Sequence, residues 1–365
     1  MRISVYTRIG TNAATTYYRL IQYLKRLPCE YRLRTMINES VYNEVKPISR
    51  QSLPVKGLIF FYTYFRVLKQ LISDLLKTPD VLIVSRRFVS RFFPYSYRII
   101  IDRIQKKGCK IIWDFDDNII AFKEISKSGF NYLSRISNRI IVASSANADL
   151  IKPIYRDKVL ILPTTDGDMN KLLNTEVLNN RLRSFENEIR LIWVGTFSSL
   201  DFVAEIHPYI EAFAYETKEK SGKNVILTVV CDKELSLTNS SYTLRNIKWE
   251  RSVAIKEMLD AHVGLMPLPI NHFTEGKGGF KLIQYLSVGL PIIGTKVGIN
   301  NSILDSRVSV GISELRTNQW TKGLIQLTKD PKTWKDYSTN AIKFWEENYN
   351  FVDNLHIWQH ILCSD

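Results

Sequence analysis

Residues 273–300 read FTEGKGGFKLIQYLSVGLPIIGTKVGIN, the most informative run in the chain. A turn of three glycines, Gly276, Gly278 and Gly279, interrupted by Lys277, opens a helix that contains Lys281 and Gln284. The helix ends near Gly289, and Pro291 starts a strand apolar enough to be buried. Backbone N–H groups at a helix N-terminus attract anions, and glycine lets a phosphate come close to the backbone. Two lysines on such a turn can neutralise a diphosphate. A Walker P-loop is excluded, because Gly278 follows Lys277 where Ser or Thr is needed and Asn271 takes the place of the upstream glycine. On these residues alone, a glycine-rich connection with solvated lysines accounts for the run as well as a phosphate site does.

Short apolar runs alternate with helical stretches on both sides, the pattern of parallel βαβ units. Strands are expected at Ile3–Tyr6, Val81–Ser85, Lys110–Asp114, Arg139–Val142 and Val159–Leu162 in the first half. In the second they are expected at Arg190–Val194, Val225–Val230, Asn246–Trp249, Val263–Met266 and Pro291–Gly294. Asn170–Glu188 is polar and poor in strand formers, and reads as a linker with a short helix. At 365 residues the chain exceeds what one core usually holds. The reading is an α/β protein of two Rossmann-like, doubly wound domains, residues 1–170 and 189–335, joined over 171–188. Helices over 336–365 follow, and they either complete the second domain or pack back on the first. Doubly wound sheets bind ligands beyond the C-terminal ends of their strands.

Charge is distributed unevenly. Residues 1–170 carry 28 Lys and Arg against 14 Asp and Glu, whereas residues 171–365 carry 22 of each, so the whole net charge of +14 lies in the first part. A one-sided positive field suits nucleic acid, an anionic membrane surface or a phosphate-bearing substrate, or is simply a solvated basic surface. Nucleic acid ranks last, because no helix-turn-helix, zinc-finger or RNP-like pattern occurs. The four cysteines, Cys29, Cys109, Cys231 and Cys363, are far apart, which excludes a zinc ribbon or a disulfide framework and suits a reducing compartment. The N-terminal MRISVYTRIG reads as a strand, and the most apolar run, Gly57–Phe65, is shorter than the roughly 20 residues a bilayer requires. The expected location is the cytoplasm, extending to a peripheral position on the inner face of the membrane.

The glycine-turn run resembles the donor-site motif of the retaining, GT-B-fold nucleotide-sugar glycosyltransferases of family four, whose helix reads K-L-L-E/Q-Y-M-A-x-G-L-P-V. Residues Gly279 to Pro291, GFKLIQYLSVGLP, carry it here. Ile192-Trp193-Val194-Gly195-Thr196 is similar to the first strand and glycine turn of that donor domain, Val263–Leu268 to the strand before the motif, and Val297–Asn300 to the loop after it. The resemblance implies a nucleoside-diphosphate sugar as co-substrate, with no cofactor and no metal. It implies that Lys277, with Lys281, holds the donor diphosphate, and that Gly278, Gly279 and Phe280 offer backbone N–H groups. Gln284 would meet the ribose, Glu275 the donor sugar hydroxyls, and Gly195, Thr196 and Asn300 would complete the donor site. Glu275 lies nine positions before Gln284, where the family's two acids are eight apart, and Thr196 and His262 replace a common Arg and Asp. These departures support an alternative, a non-catalytic nucleotide-sugar or glycan-binding protein.

In the first half, Lys110–Asp117 is a strand running into Asp114, Asp116 and Asp117. Paired carboxylates of this kind bind Mg²⁺, line a crevice or cap a helix. Asp116 is the candidate for the attacking hydroxyl of the acceptor, and Asp117 for acceptor binding. Arg86 and Arg87 follow a strand, and Arg19 follows the turn Gly10-Thr11-Asn12; Gly10, Thr11 and these arginines are candidates for an anionic acceptor. Leu58–Leu76 mixes aromatic residues with Arg66, Lys69 and Lys77, and would lie on an anionic membrane or pack against the sheet. The function expected is sugar transfer from a nucleotide-sugar donor to a glycan or lipid-linked acceptor, with retention, in cell-surface polysaccharide or glycoconjugate synthesis.

Overall fold

The apolar runs Val81–Ser85 and Lys110–Phe115 form strands buried on both faces, which requires helices on both sides of the sheet. The computed structural model describes residues 1–11, 13–45, 48, 51–89, 91–238 and 241–363; Asn12 lies outside them. The chain divides into two units, Met1–Thr164 with Val352–Asp365, and Thr165–Phe351.

The first unit holds β1 (Arg2–Thr7), β2 (Glu30–Thr35), β3 (Val81–Ser85), β4 (Lys110–Phe115), β5 (Arg139–Val142) and β6 (Val159–Ile161), all parallel, in the order β2-β1-β3-β4-β5-β6. The second holds β7 (Glu188–Val194), β8 (Asn224–Cys231), β9 (Thr243–Lys248), β10 (Val263–Met266), β11 (Ile292–Thr295) and β12 (Ser309–Ile312), again all parallel, in the order β12-β11-β10-β7-β8-β9. Both are doubly wound α/β sheets, as read from the sequence. Strand order reverses between β1 and β3 and between β7 and β10, and loops diverge at such switch points to leave a crevice. β2 and β12 were not expected. Both are edge strands: EYRLRT alternates charge, and SVGI is short and rich in small residues, so neither carries the apolar signal of a central strand.

The segment expected as a linker is instead built into the second unit. Thr175–Phe185 is a helix capped by Asn174, whose side chain accepts from Val177 N, and it buries Arg181 and Phe185. Arg181 donates from Nε to Leu259 O (2.7 Å), from Nη2 to Met258 O (2.8 Å) and from Nη1 to Val288 O (2.7 Å). These carbonyls lie at the C-terminal ends of the helices Arg251–Asp260 and Phe280–Ser287, where no intrahelical donor remains. Helix Pro331–Asn348 stays with this unit, with Ser338 Oγ donating to Gly289 O (2.7 Å). Helix Phe351–Cys363, from Val352 onward, groups with the first unit, where Trp358 stacks on Tyr23 at 6.1 Å and Asn354 Nδ2 donates to Pro163 O (2.9 Å).

His262, which stands where the resembling family often has Asp, is fully buried. Its Nδ1 accepts from Arg190 N (2.9 Å), so Nε2 carries the proton and donates to Arg181 O (2.9 Å). Burial, with the charges of Arg181, Arg190 and Lys223, pulls its pKa down to about 3. The unfolded chain takes up this proton near pH 6.5, so between about pH 6.5 and 3 it binds more protons than the folded one and stability falls as pH drops. Going from pH 7 to 5, the wild type should lose about 2 kcal/mol more than His262→Asn, read from urea unfolding midpoints. Equal losses would show that His262 does not carry this dependence.

Candidate functional site

In the second unit the crevice-forming loops follow β7 and β10. Gly279 has φ +64° and caps the helix Phe280–Ser287; a side chain there would strike Ile299 and Ile303 at 2.8 and 2.7 Å. The turn is therefore closed against the loop that follows β11. Lys277 Nζ donates to Ser199 Oγ (3.3 Å), tying the glycine turn to the loop after β7. Lys281 Nζ lies 5.8 Å from the centroid of the Trp193 ring, which also fills the space beside Gly195. Thr196 Oγ1 shares a hydrogen bond with Ser198 Oγ (2.9 Å) in the same loop. Lys233, just beyond β8, lies 5.4 Å over Phe197 and adds a cation that sequence reading missed.

Tyr285 determines where this helix sits. The ladder between β7 and β10 pairs Ile192 with Gly264 and extends no further among the described residues. Beyond it, the Tyr285 hydroxyl accepts from Val194 N (3.1 Å) and donates to Leu265 O (3.5 Å), joining the two strands where they diverge. A side chain at Gly264 would overlap the Tyr285 ring at 2.5 Å, so the ring lies directly on β10. Burial raises the Tyr285 pKa well above its ordinary value, which keeps the hydroxyl protonated. The tyrosine was part of the quoted motif, yet nothing in its spacing assigns it this role.

Two expected donor contacts are placed differently. Asn300 is 1% exposed and donates from Nδ2 to Thr295 O (3.2 Å), so it holds the loop after β11. Gln284 is buried on the inner side of its helix and donates to Asp166 Oδ2 and to Met169 Sδ, both at 3.4 Å. Glu275 ends the short helix His272–Glu275, half-exposed, its carboxylate 3.1 Å from His272 Nδ1. Gly278 and Phe280 flank Gly279 and are half-buried.

In the first unit the loops after β1 and β3 frame a cavity of about 160 Å³, lined by Arg8, Thr15, Thr16, Ser85, Arg86, Arg87 and Glu124 among others. Arg86 holds φ +61°, a conformation disfavoured for a side-chain-bearing residue, fixed by Arg86 N donating to Asp114 O (2.7 Å) and Trp113 Nε1 donating to Arg86 O (3.0 Å). Its guanidinium reaches Asp116 Oδ1 (2.6 Å), Asp117 Oδ2 (2.6 Å) and Glu124 Oε1 (2.9 Å). Burial raises the Asp117 pKa, with Arg86 opposing the shift. Arg87 pairs with Glu124, and it is 6% exposed with no partner for Nε among the described residues. Burial, together with Arg8, Arg86 and Arg91, lowers the Arg87 pKa to about 10 against the pull of Glu124.

Arg19 requires a correction. The helix it occupies passes through a π-helical turn at Tyr17–Ile21, and Arg19 is 2% exposed. Its Nη2 meets Asp114 Oδ1 (2.5 Å) and its Nη1 donates to Leu162 O (2.5 Å), so it ties β4 to the end of β6 and is spent inside the fold. Gly10 backs onto Glu39, and Thr11 is exposed; neither lines the cavity. The three aspartates are each held by arginine, and among the described residues no group of three or more acids, histidines or cysteines is placed to hold a metal ion.

No family model matches the chain. It is 22% identical over 264 residues to an uncharacterized glycosyltransferase of Methanocaldococcus jannaschii, covering 69% of this chain and 59% of that one, so it spans less than two thirds of that relative's length. Among solved structures, Anabaena HepE in complex with UDP is similar at a TM-score of 0.66 and 9% identity over the whole of both chains. The OtsA apo structure is similar at 0.63 and 11%, again over both whole chains. A glycosyltransferase from Rickettsia africae is similar at 0.61 and 11%, over all of this chain and 99% of that one. The fold is GT-B.

Tyr285→Phe removes the acceptor for a buried Val194 N–H at the switch point. It should cost about 1–3 kcal/mol in urea unfolding while leaving the far-ultraviolet spectrum unchanged. An unchanged midpoint would mean that the Tyr285 hydroxyl does not bridge β7 and β10.

Proposed function

We propose that the chain is a glycosyltransferase that moves a sugar from a nucleoside-diphosphate sugar to a hydroxyl of a glycan or lipid-linked acceptor, with retention of configuration, in cell-surface polysaccharide or glycoconjugate synthesis. The observation that carries the reading is Lys277 on the glycine turn, in contact with Ser199 of the loop after β7, at the start of a helix that also bears Lys281. The positive end of the helix dipole and two ammonium groups meet at the switch point of a Rossmann-like sheet, a suitable setting for a diphosphate. UDP is the nucleotide bound in the Anabaena neighbour, and it is the first one to test here.

In this reading the bond between the anomeric carbon and the diphosphate oxygen lengthens, its electron pair leaves with the diphosphate, and Lys277 stabilises that charge as it develops. The acceptor oxygen bonds to the same face of the oxocarbenium-like sugar, and its proton passes to the leaving phosphate. Retention rests on the resemblance over Gly279–Pro291. Asp116, whose Oδ1 accepts from Arg86 Nε and Nη2, remains the candidate for contacting the attacking hydroxyl. Glu275 remains the candidate for the donor sugar hydroxyls. The acceptor would place an anionic group in the cavity beside Arg8 and Arg87, where the Arg87 Nε–H awaits an acceptor.

A thermal-shift panel of UDP, GDP, ADP and CMP tests the donor half. A nucleotide at 100 times its dissociation constant should stabilise the wild type by about 2.7 kcal/mol, and Lys277→Ala should lose most of that shift. If no nucleoside diphosphate shifts the wild type, the donor site is misassigned; binding with no transfer to any acceptor favours the non-catalytic alternative. For the acceptor half, Arg87→Gln should raise the KM for a phosphate-bearing acceptor at least tenfold while leaving UDP affinity unchanged, as expected for a lost charge-assisted hydrogen bond of about 1.5–3 kcal/mol. An unchanged KM would remove Arg87 from the acceptor site.

A further inference from the structure

Helix Leu53–Leu76 is apolar on two opposite faces. Its inner face, through Phe60, Tyr64, Val67 and Leu71, packs into the core of the first unit. Its outer face presents Leu58, Phe61, Phe65, Ile72 and Leu76, at helical spacings of three, four and seven, and these are 70%, 59%, 61%, 43% and 77% exposed. The stripe is about 27 Å long at 1.5 Å per residue. Phe92, 58% exposed, stands beside the same helix, its ring 6.3 Å from that of Phe60. An exposed apolar patch of this extent marks a surface that another phase or partner covers.

The charges around the stripe identify the occupant. Helix Leu53–Leu76 and its neighbour Tyr95–Lys106 carry only two carboxylates, and both are engaged: Asp74 is 2% exposed and accepts from Tyr6 Oη (2.6 Å), and Asp102 accepts from Tyr132 Oη (2.8 Å). Arg66 also turns inward, donating to Thr35 O (2.8 Å). The exposed charges that remain, Lys69, Arg103 and Lys106, are all positive. A second copy of the chain would set these cations against one another, whereas an anionic lipid surface would attract them. No helix among the described residues is long and apolar enough to cross a membrane. We propose that the outer face of helix Leu53–Leu76, with Phe92 beside it, docks flat into the interfacial zone of an anionic bilayer. This surface lies outside the donor and acceptor residues, and the inference holds whether or not the chain transfers sugar.

Co-sedimentation of the full chain with phosphatidylcholine vesicles, with and without about 30% phosphatidylglycerol, tests this. The wild type should pellet with the anionic vesicles and be released as NaCl rises from about 0.1 to 0.5 M. Phe61→Glu/Phe65→Glu, and the uncharged Phe61→Ser/Phe65→Ser, should each lower the partition coefficient at least tenfold with an unchanged melting temperature. Tyr215→Glu, at an exposed aromatic of the second unit, should bind as the wild type does. Three results would overturn the proposal: no binding to anionic vesicles, equal binding by the Phe61/Phe65 variants, or a dimer in light scattering that those variants abolish.

Discussion

A tyrosine laid across a strand position that has no side chain holds the second unit's site together. Because Gly264 leaves β10 bare, the Tyr285 ring lies on the strand and its hydroxyl reaches Val194 at the end of β7. Parallel strands diverge at a switch point, and the backbone groups on the separating edges need partners from elsewhere. Tyr285 supplies one, while Arg181 takes the carbonyl of Val288, three residues further on at the C-terminal end of the same helix. These contacts hold the C-terminal half of the helix, while at its start Gly279 is closed against Ile299 and Ile303 and Lys277 is tied to Ser199. Lys277 and Lys281 are presented on rigid elements, as a site for a charged ligand requires.

The first unit reaches its switch point by a more expensive route. Arg19 and Asp114 are both removed from water, and a buried pair of this kind returns its desolvation cost only when every donor is used. Here the guanidinium also serves Leu162 O and Thr164 Oγ1, so the pair joins β4 to the chain beyond β6. Arg86 adds a strained backbone conformation next to the cavity, stabilised by three carboxylates. Strain retained at the mouth of a cavity is a common mark of a working site.

Much of this was legible in the sequence. The central strands announce themselves as continuous apolar runs, and the bounds of Val81–Ser85, Arg139–Val142 and Val263–Met266 follow from composition alone. The edges β2 and β12 do not, because EYRLRT interleaves charged residues and SVGI is short and rich in small ones. Side-chain roles were less legible than positions. Arg19 and Asn300 are polar residues near strand ends, which sequence alone reads as ligand contacts, yet a local π-turn and a tight loop direct both inward. Arg181 sits in a stretch that looks like a solvated linker, since nothing local shows that three distant carbonyls await its guanidinium. Periodicity reports which face of a helix is apolar; it does not report what a long polar side chain will find.

The same reasoning locates the basic excess. Of the acids in the first 170 residues, Asp74, Asp114, Asp116, Asp117 and Glu124 are used in pairs with Arg34, Arg19, Arg86 and Arg87 inside or at the rim of the sheet. These groups roughly cancel one another, so the excess of cations counted over that region falls on residues outside the internal network. Charge that folding neutralises contributes little to the distant field, whereas exposed lysines and arginines set it. An anionic partner would therefore be attracted mainly by residues that the sheet does not need. Most of the long-range positive field is thus carried by side chains outside the internal ion-pair network.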